Sequence, residues 1–186
     1  MIYLFLFLTR KKRRKKQTMD NSKARLRRYE DDLYVSGTGV IIMGAWGVVK
    51  VILGIFFGAD SELFLEADSV LEKTAVIILT VILVGIISAL IMKFHVYIGL
   101  NAVRAATGKN YKKGYIIGDV ILLLLTVVGI ISYKDRFSDT KNIDSTIASM
   151  LVDLTTIYVC VIVIISTKRI EKIKQAVSGG EEDHAD

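Results

Sequence analysis

Apolar residues fall in four long blocks along the chain, at roughly 37–58, 74–94, 114–133 and 147–167, with short polar stretches between them. Each block approaches the about 20 residues that a helix needs to span the hydrocarbon core of a bilayer. Lipid offers no partner to backbone N–H and C=O groups, so each block is predicted to be a helix that satisfies itself. The expected fold is all-α: an integral membrane four-helix bundle of two helical hairpins, with short interfacial or cytoplasmic helical extensions. The chain has no proline, so no residue forces a kink.

The polar stretches suggest an organisation. Residues 1–18 form a basic leader, 19–35 a juxtamembrane amphipathic helix, 36–167 the transmembrane domain and 168–186 a cytoplasmic helical extension with an acidic tail. In the juxtamembrane helix Asn21 or Ser22 is placed to cap, and Leu26, Tyr29 and Leu33 make an apolar stripe. Such a helix is expected to lie on lipid headgroups; a docking site for a cytoplasmic partner is the alternative. The second block is expected to run on past His95 to a stop at Gly108. The basic linker from Lys109 to Lys113 then suits anionic headgroups. Tyr34-x-x-Gly37 opens the first block and Tyr115-x-x-Gly118 the third, which fits a duplicated hairpin and also fits chance.

Charge decides orientation. Leaving out the leader, the N-terminal flank, the loop between blocks two and three and the C-terminal flank carry 13 Lys and Arg, against 4 in the other two loops. By the positive-inside rule this puts both termini in the cytoplasm of a cell-membrane protein.

The leader, MIYLFLFLTRKKRRKKQT, changes the charge picture. Its order is apolar then basic, the reverse of a secretory signal. Its Arg13–Arg14 pair, if encoded AGG-AGG, would spell a purine-rich ribosome-binding site a few codons before Met19. Met19 is therefore the expected native start, with a polybasic arm on anionic lipid as the competing reading. The leader holds seven of the Lys and Arg and no acid, and without it the net charge falls from +6 to −1. A nucleic-acid partner, which a basic chain invites, is therefore not expected.

Three charged residues fall inside the blocks: Lys50, Asp119 and Asp153. An ionisable group in lipid needs a partner or water. Lys50 lies about 12 Å below the outer end of its block and Asp153 about 9 Å below the same end, at about 1.5 Å per residue. The matched depths predict an ion pair between the first and fourth helices. Asp119 lies nearer the inner side, where Lys93, His95 and the Tyr34 hydroxyl are its expected partners. Gly44, Gly47, Gly54 and Gly58 line one arc of the first helix and are expected to pack against another helix backbone.

No catalytic, cofactor-binding or metal-ligating motif emerges. His95 and His184 stand apart, and no phosphate-cradling glycine loop is present. The lone Cys160 is expected to be a small apolar filler. The first expectation is thus a non-enzymatic assembly, regulatory or accessory subunit that acts through helix packing, without a cofactor. It would meet lipid and either a second copy or another membrane protein. The alternative is a small oligomeric transporter or channel that uses Lys50, Asp153 and Asp119.

Overall fold

The computed structural model describes the backbone of residues 2–58, 70–133 and 143–182, and the side-chain surroundings of most residues within 20–52, 71–133 and 146–176. The described residues form four helices: α1 (Ile2–Gly58), α2 (Val70–Ala106), α3 (Tyr115–Ile131) and α4 (Ile143–Glu182). Spans of α1, α2 and α4 are long and apolar enough to cross a membrane, at Asp20–Ile52, Thr74–Ala106 and Thr146–Ala176. The apolar helix α3 has 17 residues, about 26 Å of rise, at the short end of the spanning range.

The juxtamembrane segment is not a separate helix. α1 is continuous from the leader through the first apolar block. No proline interrupts it, and Leu26, Tyr29 and Leu33 pack against the bundle instead of turning away. The leader's side chains and the question of a start at Met19 lie outside the described residues.

α1 packs on α2 and α4, α3 packs on α4 and more lightly on α2, so the helices follow one another around a ring. Neighbours run antiparallel. Gly37 of α1 faces Gly99 and Ala102 of α2, Gly44 faces His95, and Gly47 faces Ile91. On the other side Glu30 approaches Lys174 of α4 and Lys50 reaches Asp153.

The core is concentrated toward one end. Leu33 and Val40, Ile98 and Ala102, Tyr115, and Cys160 and Val163 come from all four helices and are at most 1% exposed. Two glycines bring α1 and α2 together there. A Cβ on Gly99 would overlap the carbonyl oxygen of Gly37, and one on Gly37 would crowd Ala102. Backbones this close maximise packing where no hydrophobic effect drives helices together.

The same end holds the chain reversal. Gly108 has a φ of 69°, a conformation that costs glycine nothing. It lets Lys109 N–H reach the Arg104 carbonyl at 2.9 Å and Gly108 N–H reach that of Ala105 at 3.3 Å, which closes α2 as a Schellman cap. Asn101 then fastens the linker: its side-chain amide donates to the Tyr97 carbonyl and its Oδ1 accepts from Lys112 N–H. The stop expected at Gly108 is where the helix ends. The two tyrosines of the suspected repeat differ in setting, however: Tyr34 is half exposed and Tyr115 is fully buried.

Outside the core the helices present apolar side chains outward. Ile78, Leu83 and Leu90 of α2, Leu125 of α3 and Leu154 and Ile165 of α4 are all exposed. A contiguous apolar surface of this kind suits lipid rather than water. Past it, α1 and α4 run on together, joined by the pair of Lys174 and Glu30 at 3.5 Å. The Lys174 side chain is about half exposed and the separation is long, so this pair contributes little. Glu30→Gln is expected to change unfolding stability by no more than about 0.5 kcal/mol, read by denaturant titration in micelles.

Candidate functional site

The polar residues of α3 and α4 recur at steps of three, four or seven positions, which places them on one face of each helix. On α3 the stripe runs through Asp119, Thr126 and on to Tyr133; on α4 it runs through Asp153, Thr156, Cys160 and Thr167. The two stripes face each other, since Tyr115 Oη and Thr167 Oγ1 are 2.7 Å apart at one end and Tyr133 meets Asp153 at the other.

At that second end the structure brings Lys50 and Asp153 together. Lys50 Nζ lies 2.9 Å from both carboxylate oxygens. Tyr133, just beyond α3, completes a closed ring of three groups. Its hydroxyl donates to Asp153 Oδ2 at 2.5 Å and accepts from Lys50 Nζ at 2.9 Å. Lys50 also lies 5.7 Å from the centroid of the Tyr133 ring, within cation–π reach. The Lys50 and Asp153 side chains are 28% and 17% exposed, so neither is fully hydrated and each relies on the other. The ring is charge-balanced, and short charge-assisted hydrogen bonds are the strong kind.

The part of Tyr133 in this ring is what sequence reasoning missed. Tyr133 falls at the end of an apolar block, where tyrosine is ordinarily an interface anchor. Its place on the same α3 stripe as Asp119 and Thr126 was the available signal.

Next to the ring is a cavity of about 360 Å³ among all four helices. Its polar lining includes Lys50, Asp153, Thr126, Thr156 and His95, and Met43, Trp46 and Phe94 are among its apolar walls. Both threonine hydroxyls donate to carbonyls of their own helices, Thr126 to Leu122 at 2.8 Å and Thr156 to Val152 at 3.0 Å. His95 Nδ1 is 2.8 Å from the Ile91 carbonyl, which makes Nδ1 the protonated nitrogen and leaves Nε2 as an acceptor. These polar groups therefore need no cross-helix partner, and their spare capacity is to accept hydrogen bonds.

Asp119 has no such arrangement. It is fully buried, and neither carboxyl oxygen has a hydrogen-bond partner of good geometry. The expected partners do not reach it. Lys93 is exposed, Tyr34 is half exposed, and His95 is held on its own helix and lines the cavity. The group against it is the thiol of Cys160 on α4, a weak donor and a weak acceptor. Cys160 is fully buried, so the small filler expected from sequence is the neighbour of the bundle's least satisfied polar group.

Of the expected packing glycines, Gly44 sits against His95, where an added Cβ would approach the histidine Cβ within 2.5 Å. Gly47 touches Ile91 more loosely. Gly54 and Gly58 belong to α1, but their surroundings lie outside the described residues. The chain matches no known protein-family model, and neither the curated proteins nor the solved structures contain a match to it.

Proposed function

We propose that the chain is a four-span membrane protein of the cell membrane, with both termini in the cytoplasm, that works as a non-enzymatic accessory or regulatory subunit through its helix faces. The observation that carries this reading is the outer half of α2. No residue of its most apolar stretch is buried within the monomer, and nothing lies within 4 Å of a Cβ placed on Gly85. Gly85 and Ala89 stand four apart on this uncovered surface, the small-xxx-small spacing that lets another helix backbone come close. The basic residues at the cytoplasmic end suit anionic headgroups.

Gly85→Leu tests it. The added side chain meets open space, so helix content and unfolding stability are expected to stay within about 0.5 kcal/mol of the parent. Association with a membrane partner or a second copy, read by crosslinking in native membranes and by fluorescence transfer in liposomes, is expected to fall at least about tenfold. Unchanged association sinks this use of α2.

A second reading, a small oligomeric transporter or channel, draws support from the cavity beside Lys50, Asp153 and Tyr133. Ion flux through liposomes containing the purified chain alone favours it over the first reading. Silent liposomes leave the accessory subunit.

A further inference from the structure

We propose that Asp119 is a proton-binding site, carrying its proton in the packed bundle, and that this proton keeps the seam between α3 and α4 closed.

The case begins with surroundings. Asp119 is 0% exposed, and neither oxygen has a hydrogen-bond partner of good geometry, the weak Cys160 thiol being the group against it. Of the titratable groups, Cys160 faces it from α4, and Tyr115 lies one turn before it on α3. The Tyr115 hydroxyl is committed to Thr167. From α2 the adjacent Gly118 meets Ile98 and Phe94, both apolar. α1 is not a close neighbour of α3. Among the described residues no cation answers this carboxyl.

A carboxylate there would be a buried charge with no counter-charge among the described residues. That state is costly even after the surroundings relax. A neutral acid avoids it and needs to place only one O–H, with the polarisable Cys160 sulfur beside it. The site's ligand is therefore a proton. Contrast Asp153, which meets a lysine and a tyrosine at hydrogen-bond distance.

Release of the proton has a directed consequence. The new charge must gain water, and the nearest polar route is the cavity. Leu122, one turn along α3 from Asp119, and Thr156, one turn along α4 from Cys160, both line it. Water arriving from there enters between α3 and α4. Proton binding favours the closed seam and proton loss the hydrated one, so by linkage the closed population rises as pH falls.

Cys160 reports both states, because it is the only cysteine in the chain and is fully buried in the closed seam. In liposomes, the rate of its labelling by N-ethylmaleimide is expected to climb from neutral to alkaline pH. The parent's climb should exceed that of Asp119→Asn by at least about tenfold. The asparagine variant keeps the shape and cannot ionise, so its slope contains only the thiol's own titration. Infrared spectra supply the second readout. The parent should show a protonated-carboxyl C=O band that is missing in Asp119→Asn and shifted in Cys160→Ala, which leaves the carboxyl in place and removes its neighbour. Should Asp119→Asn fail to fold, Asp119→Leu supplies the reference for labelling, and the parent and Cys160→Ala suffice for the infrared. Equal labelling slopes, or no protonated band in the parent at neutral pH, overturns the proposal.

Discussion

Lys50→Met is expected to lower unfolding stability by about 2–4 kcal/mol, because it takes the ammonium away from the largely buried Asp153 carboxylate and leaves Tyr133 as its hydrogen-bond partner among the described residues. The upper part of that range belongs to fully buried pairs, and the 28% and 17% exposure of the two side chains places this pair below the extreme. Asp153→Leu alone strands the ammonium and is expected to cost a similar amount. Lys50→Met with Asp153→Leu removes both charges at once and is expected to return stability to within about 1 kcal/mol of the parent, the remainder being the two hydrogen bonds that the Tyr133 hydroxyl makes to Lys50 and Asp153. Tyr133→Phe alone should cost about 1 kcal/mol. Reversible unfolding in mixed micelles measures all four. Strict additivity of the two charge substitutions would show that the groups do not act as a pair. A different result separates structure from use: if every variant accumulates and unfolds like the parent while activity in cells is lost, the ring serves function and not register.

This ring marks how far the sequence could be read. A helix advances by a fixed rise, so two charges at matched depth in two apolar blocks predict each other, and Lys50 and Asp153 do meet. Depth, however, carries no information about azimuth. Asp119 was assigned to Lys93, His95 or Tyr34 because these share its level, yet the rotation of the helices turns Lys93 and Tyr34 outward. His95 is drawn to the carbonyl four residues before it. Intrahelical bonds of this sort are invisible to a search for cross-helix partners, and they also account for Thr126 and Thr156. The helical ends misled for a related reason. An amphipathic stripe at Leu26, Tyr29 and Leu33 reads the same whether it lies on headgroups or packs on the extension of another helix. The continuity of α1 and the partial burial of Leu26 and Tyr29 against the core follow the second course.

Gly99→Ala and Gly85→Ala should move stability in opposite directions, although both replace a glycine inside α2. In a helix that meets nothing, alanine is favoured over glycine by about 0.8–1.0 kcal/mol, since it loses less backbone entropy on folding. Gly85 is such a position, with no atom within 4 Å of an added Cβ, and its alanine variant is expected to be as stable as the parent or more so. Gly99 lies in the run of α2 past His95, where a helix exposed at the membrane surface would gain equally from alanine. Instead its Cβ would overlap the carbonyl oxygen of Gly37 and crowd the Ile41 side chain. A side chain can swing aside, but a carbonyl locked in a helix cannot, so α1 and α2 must separate where Leu33, Val40, Ile98 and Ala102 form the core. Overpacking of this kind costs about 1–3 kcal/mol and at times more, enough to outweigh the gain in propensity. Gly99→Leu, which adds three further carbons at the crossing, is expected to cost about 3 kcal/mol or more, while Gly85→Leu leaves stability near the parent's. Thermal unfolding in micelles, followed by circular dichroism, compares the four variants directly. A stabilised Gly99→Ala would mean that α1 and α2 do not cross at Gly37, and the closed end of the bundle would have to be packed some other way.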